Sequence, residues 1–305
     1  MKIGFLTGCL GDMPLLEKAR FAHEVGFKAI EISCWPRVNS RDYSSSDIDV
    51  ENLTQADADA LMAELGSLGL TVSSLAYYDN NLSADPAERK AINDHTKKVI
   101  DAASMMGVEL VGCFIGRDIS RDLAGNFDEF EKVFGDLVSY AESKHVKLMI
   151  ENCHMPSWLE EGKPGTISYS PELWREMFRR IPSKSFGLNY DPSHLRAMLM
   201  DYMACVKGFE DRVFHLHAKD VEVFQDKVDV YGIYDGNFGD SYWRYRMPSL
   251  GQIDWKALTS HLIAHGYDFV ISIEHEDHLY EGSTEKVKEG LKIAFDYLSG
   301  IVDNQ

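Results

Sequence analysis

The chain is predicted to fold as an α/β protein, a (β/α)8 TIM barrel in which eight parallel strands are enclosed by outer helices. Three observations predict it. Short runs dense in Val, Ile, Leu and Phe recur along the 305 residues with helix-patterned segments between them, as expected when both faces of a parallel sheet are covered. The strand–helix units number eight, which fills a closed barrel without remainder. Gly26, Gly69, Gly107 and Gly266 each stand between a helical pattern and the next apolar run, where a left-handed residue closes a helix.

The elements follow in order. Strands are expected at 2–7, 28–33, 70–76, 109–114, 147–152, 186–190, 213–218 and 269–274, and helices at 13–25, 54–68, 86–106, 127–145, 171–180, 198–208, 255–265 and 284–299. Ser83 or Asp85 before Pro86 opens the third helix, Asn126 begins the fourth, and Ser170 before Pro171 and Glu172 opens the fifth, since a polar cap followed by proline is a helix start. An open doubly wound sheet is the competing arrangement. It calls for a glycine-rich nucleotide fingerprint after the first strand, and GCLGDMP is not one. A single barrel domain over 1–305 is therefore expected, with two long loops at 34–52 and 221–253. Loops of that length serve a site or an assembly, and both leave strand ends of the kind that carry barrel active sites.

Composition narrows the class. The chain is 45% hydrophobic and 26% charged, with 49 acidic against 31 basic residues and a formal charge of -18. Such a field repels nucleic acid and anionic membranes. No apolar run reaches a membrane span, and the start MKIGFLTGCLGDMPLLEKAR reads as a strand rather than a leader. The five cysteines are odd in number and contain no CxxC pair, which argues against a disulfide framework and for a cytoplasmic protein. Cys34, Cys113 and Cys153 fall near strand ends, where one can approach a pocket.

The candidate chemistry lies at the ends of the last four strands, in KLMIENCH, FGLNYDPSHL, RVFHLHAKD and FVISIEHED. Glu151, Asp191, His217 and Glu274 each place a metal-capable group where a buried strand meets a loop. Buried carboxylates are costly unless paired or metal-bound. Three carboxylates and one imidazole suit Mn²⁺ first, with Mg²⁺, Co²⁺ or Zn²⁺ also accepted. A cation held there polarises a substrate carbonyl, while Glu151 and Glu274 flank the neighbouring carbon as an acid–base pair. His154 and His194, three residues past Glu151 and Asp191, are candidates to position a substrate hydroxyl. His215 shares strand parity with His217 and is expected a layer lower. Lys219 is placed to neutralise carboxylate charge or touch a substrate oxygen. Trp35 and Tyr77, with Tyr78, Phe114 and Trp243, are candidates for an aromatic sugar-binding wall.

At these residues the chain resembles the xylose isomerase-like TIM-barrel superfamily, and within it the sugar phosphate isomerase/epimerase group with the ketose 3-epimerases and the inosose dehydratase/isomerase branch. The strings that carry the resemblance are IENCHMP, GLNYDPSHL, HLHAKD, WRYRMPSLGQIDW and ISIEHED. It implies a divalent metal held by Glu151, Asp191, His217 and Glu274, an acid–base role for the two glutamates, and substrate contact by His194. It also implies a small carbohydrate substrate and allows a homo-dimer or homo-tetramer. The ketose 3-epimerases carry an arginine shortly after the metal histidine. Here that place holds Lys219, Asp220 and a long insertion, so Arg244 or Arg246 is expected to take over the oxygen contacts. Dehydratase or lyase chemistry on an inosose or an oxidised (3-keto) glycoside stays open beside epimerisation, as does a non-catalytic carbohydrate-binding barrel. The superfamily's zinc endonuclease needs further histidines after strands two and three, and SCWPR and SLAYYDN have none.

Overall fold

The computed structural model describes residues 1–37, 46–158, 160, 162–233 and 241–303. Its strands are β1 (Lys2–Phe5), β2 (Ala29–Ser33), β3 (Thr71–Tyr77), β4 (Leu110–Cys113), β5 (Lys147–Glu151), β6 (Phe186–Tyr190), β7 (Val213–Ala218), β8 (Asp220–Val223), β9 (Trp243–Arg246) and β10 (Val270–Ile273). Eight of them form one parallel sheet in the order β1-β10-β7-β6-β5-β4-β3-β2. Its two edges meet. The Lys28 amide donates to the Ile3 carbonyl at 3.0 Å, and Leu6 bridges Glu31 in parallel. The expected barrel is present, with each barrel strand overlapping its predicted run.

The surrounding helices are α1 (Leu15–Val25), α2 (Gln55–Ser67), α3 (Pro86–Met106), α4 (Leu123–Ser143), α5 (Pro171–Arg180), α6 (Pro192–Ala197), α7 (Tyr202–Val206), α8 (Gln225–Tyr231), α9 (Trp255–Ala264) and α10 (Thr284–Val302). Asp85 caps α3 by accepting the Ala87 and Glu88 amides, and Gly26 and Gly107 close α1 and α3 with φ of +110° and +65°. Two starts differ from the sequence reading. Helix α4 begins at Leu123 because Asp122 accepts the Gly125 amide, three residues before the Asn126 side chain, which is buried among backbone carbonyls of the preceding turn. The helix expected at 198–208 is instead α6 and α7. Asp191 is itself the cap of α6, with Pro192 in its first turn, so the chain turns helical immediately after the strand.

Both stems of the insertion after β7 are among the described residues. Strands β8 and β9 pair antiparallel, with Asp220 opposite Arg246 and Val223 opposite Trp243, and α8 follows β8. Residues 38–45 and 234–240 of the two long loops lie outside the described residues. The lower stem is clamped by Asp220, which accepts the Val221 and Ile253 amides at 2.8 and 3.0 Å and the Trp255 indole N–H at 2.9 Å. A Cβ at Gly251 would lie 2.1 Å from Asp220 Oδ1, so only glycine lets the SLGQIDW segment pass this carboxylate. Because the carboxylate is 1% exposed, Asp220→Ala strands three donors. It is expected to cost about 3 kcal/mol or more, measured as a lower urea midpoint.

Candidate active site

The alternation of strand side chains and the tilt of the barrel bring four strand ends to one point. Glu151 is the last residue of β5, Asp191 follows β6, His217 lies one residue before the end of β7, and Glu274 follows β10. One ligand atom from each lies within 4.8 Å of the others. His217 Nδ1 is 2.8 Å from Glu151 Oε1 and 3.1 Å from Glu274 Oε2. Asp191 spends Oδ1 on the Ser193 amide at 2.7 Å, which leaves Oδ2 buried with no hydrogen-bond partner.

The electrostatics point to excess negative charge. Lys219 reaches in from the exit of β7, with Nζ 2.7 Å from Glu274, 3.1 Å from Glu276 and 3.3 Å from Asp191. Burial, opposed by Lys219 and reinforced by Glu151 and Glu274, pushes the Asp191 carboxyl up to about 8. Burial raises Glu276 to about 7, against Lys219 and with Glu274 beside it. Burial also disfavours ionised Glu151, yet Lys219 and His217 outweigh it and hold that carboxyl below its ordinary value. One ammonium and one imidazole thus leave carboxylate charge to be neutralised. A divalent cation would do so. Asp191 Oδ2, which lies near Lys219 and His194 yet makes no hydrogen bond, and the donor set of three carboxylates and an imidazole fit such an ion, with Glu151, Asp191, His217 and Glu274 as the residues that would hold it.

Glu31 is a site residue that the sequence reading missed. It is fully buried in β2, where Oε2 lies 2.9 Å from His217 Nε2 and accepts from Ser272 Oγ at 2.8 Å, while Oε1 accepts from Tyr78 Oη at 2.8 Å. The carboxylate holds the Nε2 proton of His217 and turns Nδ1 toward the other carboxylates, the arrangement that fixes a ligating imidazole. The available signal was the lone acid in the apolar run AIEIS. His215 lies a layer deeper, as expected, with Nδ1 3.1 Å from Asn189 Oδ1 and Nε2 3.1 Å from Ser73 Oγ.

Above the carboxylates opens a cavity of about 690 Å³, a size suited to a small organic ligand. Trp35, Tyr78, Phe114 and Met155 supply apolar wall, and Glu151, His194, Lys219, Tyr245, Glu274 and Glu276 supply polar groups. Cys153 lines it as well. His194 Nε2 sits 3.4 Å from Asp191 and 3.5 Å from Glu151, and Nδ1 is 2.8 Å from Tyr245 Oη. His154 packs edge-on against His194 and Trp243. Its Nδ1 is buried and without a partner, and burial lowers the imidazole to about 4.

Other expected contacts are not brought to the cavity. Tyr77 packs edge-on against Trp35 and His95 on the far side of its strand, and its neighbour Tyr78 faces the cavity. Arg244 pairs with Glu222 at 2.7 Å, and Arg246 with Asp277 at 2.8 Å and Glu222 at 3.1 Å. Neither lines the cavity, because alternation along β9 turns both arginines to the acidic side and Tyr245 to the site. Lys219 and Tyr245 line the cavity instead, with Nζ 4.7 Å from the Tyr245 ring centre. Arg244→Ala is accordingly expected to leave ligand affinity unchanged and to shift stability by no more than about 1 kcal/mol, read by ligand titration and thermal denaturation.

A parallel eight-stranded barrel with a carboxylate-rich cluster at the C-terminal ends of its strands defines a TIM-barrel protein with its candidate site in the usual place for that fold. The chain belongs to the Xylose isomerase-like TIM barrel family, whose model matches residues 19–297. It is 26% identical over 303 residues to the YfiH protein of Bacillus subtilis (strain 168), itself uncharacterized, covering 91% of this chain and 93% of that protein. The fold is similar to that of the IolI protein with a binding zinc atom, at a TM-score of 0.74 and 19% identity over 100% of this chain and 99% of that one. It is also similar to D-psicose 3-epimerase with D-tagatose from Clostridium cellulolyticum H10, at a TM-score of 0.73 and 14% identity, with 99% of each chain covered. No helix among the described residues is long and apolar enough to cross a membrane.

Proposed function

We propose that this chain is a divalent-metal-dependent sugar isomerase or epimerase acting on a keto-sugar or related polyol, with Mn²⁺ the preferred ion. The observation that carries the reading is the pair Glu151 and Glu274. They arrive from non-neighbouring strands and both approach His217 Nδ1, at 2.8 and 3.1 Å, on the floor of a cavity sized for a sugar. A cation held by Glu151, Asp191, His217 and Glu274 would polarise the carbonyl and lower the acidity barrier at the adjacent carbon. One glutamate takes the proton beside the carbonyl, giving an enediolate. The other returns a proton to the opposite face for epimerisation, or to the neighbouring carbon for aldose–ketose exchange. Lys219 and His194 are donors in reach of substrate oxygens, and the Trp35, Tyr78 and Phe114 wall packs against the C–H face of a ring and excludes water.

The test is solvent-proton exchange. Metal-loaded chain incubated in D₂O with a panel of ketoses and inososes is expected to place deuterium beside the carbonyl, seen by mass spectrometry and NMR. Treatment with a chelator should stop exchange, and Mn²⁺ should restore it. A sugar that binds the loaded chain and emerges without deuterium or rearrangement would refute the proton-transfer reading. A product lighter by one water would move the reaction to dehydration.

A further inference from the structure

We propose that Glu210, His261 and His265 form a second metal site, for a divalent transition ion such as Zn²⁺, on the outside of the barrel at the N-terminal ends of its strands. Glu210 opens the short turn Glu210–Arg212 that leads into β7, and His261 and His265 end α9. Two histidines four apart on a helix share one face, the spacing by which helices present paired imidazoles to zinc. One ligand atom from each of the three residues lies within 4.8 Å of the others. His261 Nε2 is 2.9 Å and His265 Nε2 4.0 Å from the same Glu210 oxygen, Oε1.

The surroundings prepare two of the three donors, and His261 Nε2 would exchange its bond to Glu210 for the ion. His265 Nδ1 lies 2.7 Å from the His261 carbonyl. A carbonyl only accepts, so Nδ1 carries the proton and Nε2 presents its lone pair, the tautomer that backbone bonding sets in metal-binding histidines. Glu210 accepts the Gly208 amide on Oε2 at 2.7 Å, which fixes the carboxylate and leaves Oε1 turned to both rings. A simple Glu210–His261 hydrogen bond accounts for two of the three residues. The third, His265, is held by its own bond to the His261 carbonyl with its ring 4.3 Å from that of His261 and tilted by 38°, and this leaves Nε2 facing the same Glu210 oxygen at 4.0 Å. The side chains of Glu210 and His261 are 15% and 18% exposed and that of His265 48%, so water can complete the coordination from one side.

Two imidazoles and one carboxylate favour Zn²⁺, Ni²⁺ or Cu²⁺, whereas three carboxylates and one imidazole at the barrel mouth favour harder ions. The clip would tie α9, which precedes β10, to the turn before β7; β7 carries His217 and β10 leads into Glu274. Residues at this face of a barrel serve stability rather than chemistry.

The experiment uses the full chain stripped with a chelator and titrated calorimetrically with Zn²⁺, alongside the melting temperature. His265→Gln, at a half-exposed position, is expected to keep the circular dichroism of wild type and take up one equivalent fewer. Asp191→Asn is expected to keep the equivalent that His265 supplies, with a zinc-dependent rise in melting temperature that adding His265→Gln removes. Equal stoichiometry and affinity in wild type and His265→Gln would overturn the site, and that comparison decides the matter even if Asp191→Asn fails to fold.

Discussion

Replacing either Glu151 or Glu274 by glutamine is expected to lower solvent-proton exchange into substrate by about 10³-fold or more. A positioned acid or base alone contributes about 10²- to 10⁴-fold, and each of these glutamates also belongs to the proposed ligand set. Their environments predict different failures. Glu151 is 1% exposed and contacts His217 and, more distantly, Lys219, so Glu151→Gln removes a charge that those cations jointly hold. Metal affinity should fall together with turnover. The Glu274 side chain is 12% exposed and pairs with Lys219 at 2.7 Å, nearer the cavity, so Glu274→Gln should retain more metal while losing exchange. Isotope incorporation and metal content measured on the same samples separate the two. Full exchange in either variant would remove that residue from the acid–base pair.

Glu31→Gln is expected to weaken binding of a divalent ion at the proposed barrel site by roughly 10- to 100-fold, the usual cost of losing a group that orients a ligand. The glutamine carbonyl can still accept from His217 Nε2, so orientation survives while the imidazole becomes a poorer donor. Glu31→Ala should be far more damaging. It leaves the His217, Tyr78 and Ser272 donors without an acceptor inside the barrel, a change of the class that costs about 3–5 kcal/mol. Calorimetric metal titration and urea unfolding of both variants check the pair of outcomes. The carboxylate has an acid signature too. Burial opposes its ionisation, but His217 and His215 prevail and lower it from 4.5 to about 2. A depressed acid stabilises the fold fully above its unfolded value, and that contribution is lost as pH falls from about 4.5 toward 2. Glu31→Gln should flatten this part of the stability profile.

Much of the barrel was legible because buried parallel strands write themselves as dense apolar runs, and because Gly26 and Gly107 close their helices through local backbone geometry. The convergence of Glu151, Asp191, His217 and Glu274 was legible from their common place at strand ends. Glu31 was not, because it acts across the barrel. Its partners His217, Ser272 and Tyr78 are 186, 241 and 47 residues away in sequence. The direction of Arg244 and Arg246 depended on a hairpin register that only the pairing of Glu222 opposite Arg244 reveals. Tyr77 and Tyr78 differed by one residue of alternation, and a strand that runs on through Tyr77 decides which faces inward.

The clamped hairpin is fastened to the barrel at its root and touches the candidate site with one side chain. Asp220, Gly251 and Trp255 hold its root to the barrel wall, while Tyr245 at its inner face reaches His194. Tyr242 adds a hydrogen bond from its Oη to the Ala197 carbonyl at 2.8 Å, which ties the hairpin to the end of α6 as well. Among the described residues of the insertion only Tyr245 lines the cavity, so whatever the hairpin contributes to ligand selection passes through that one ring and its bond to His194.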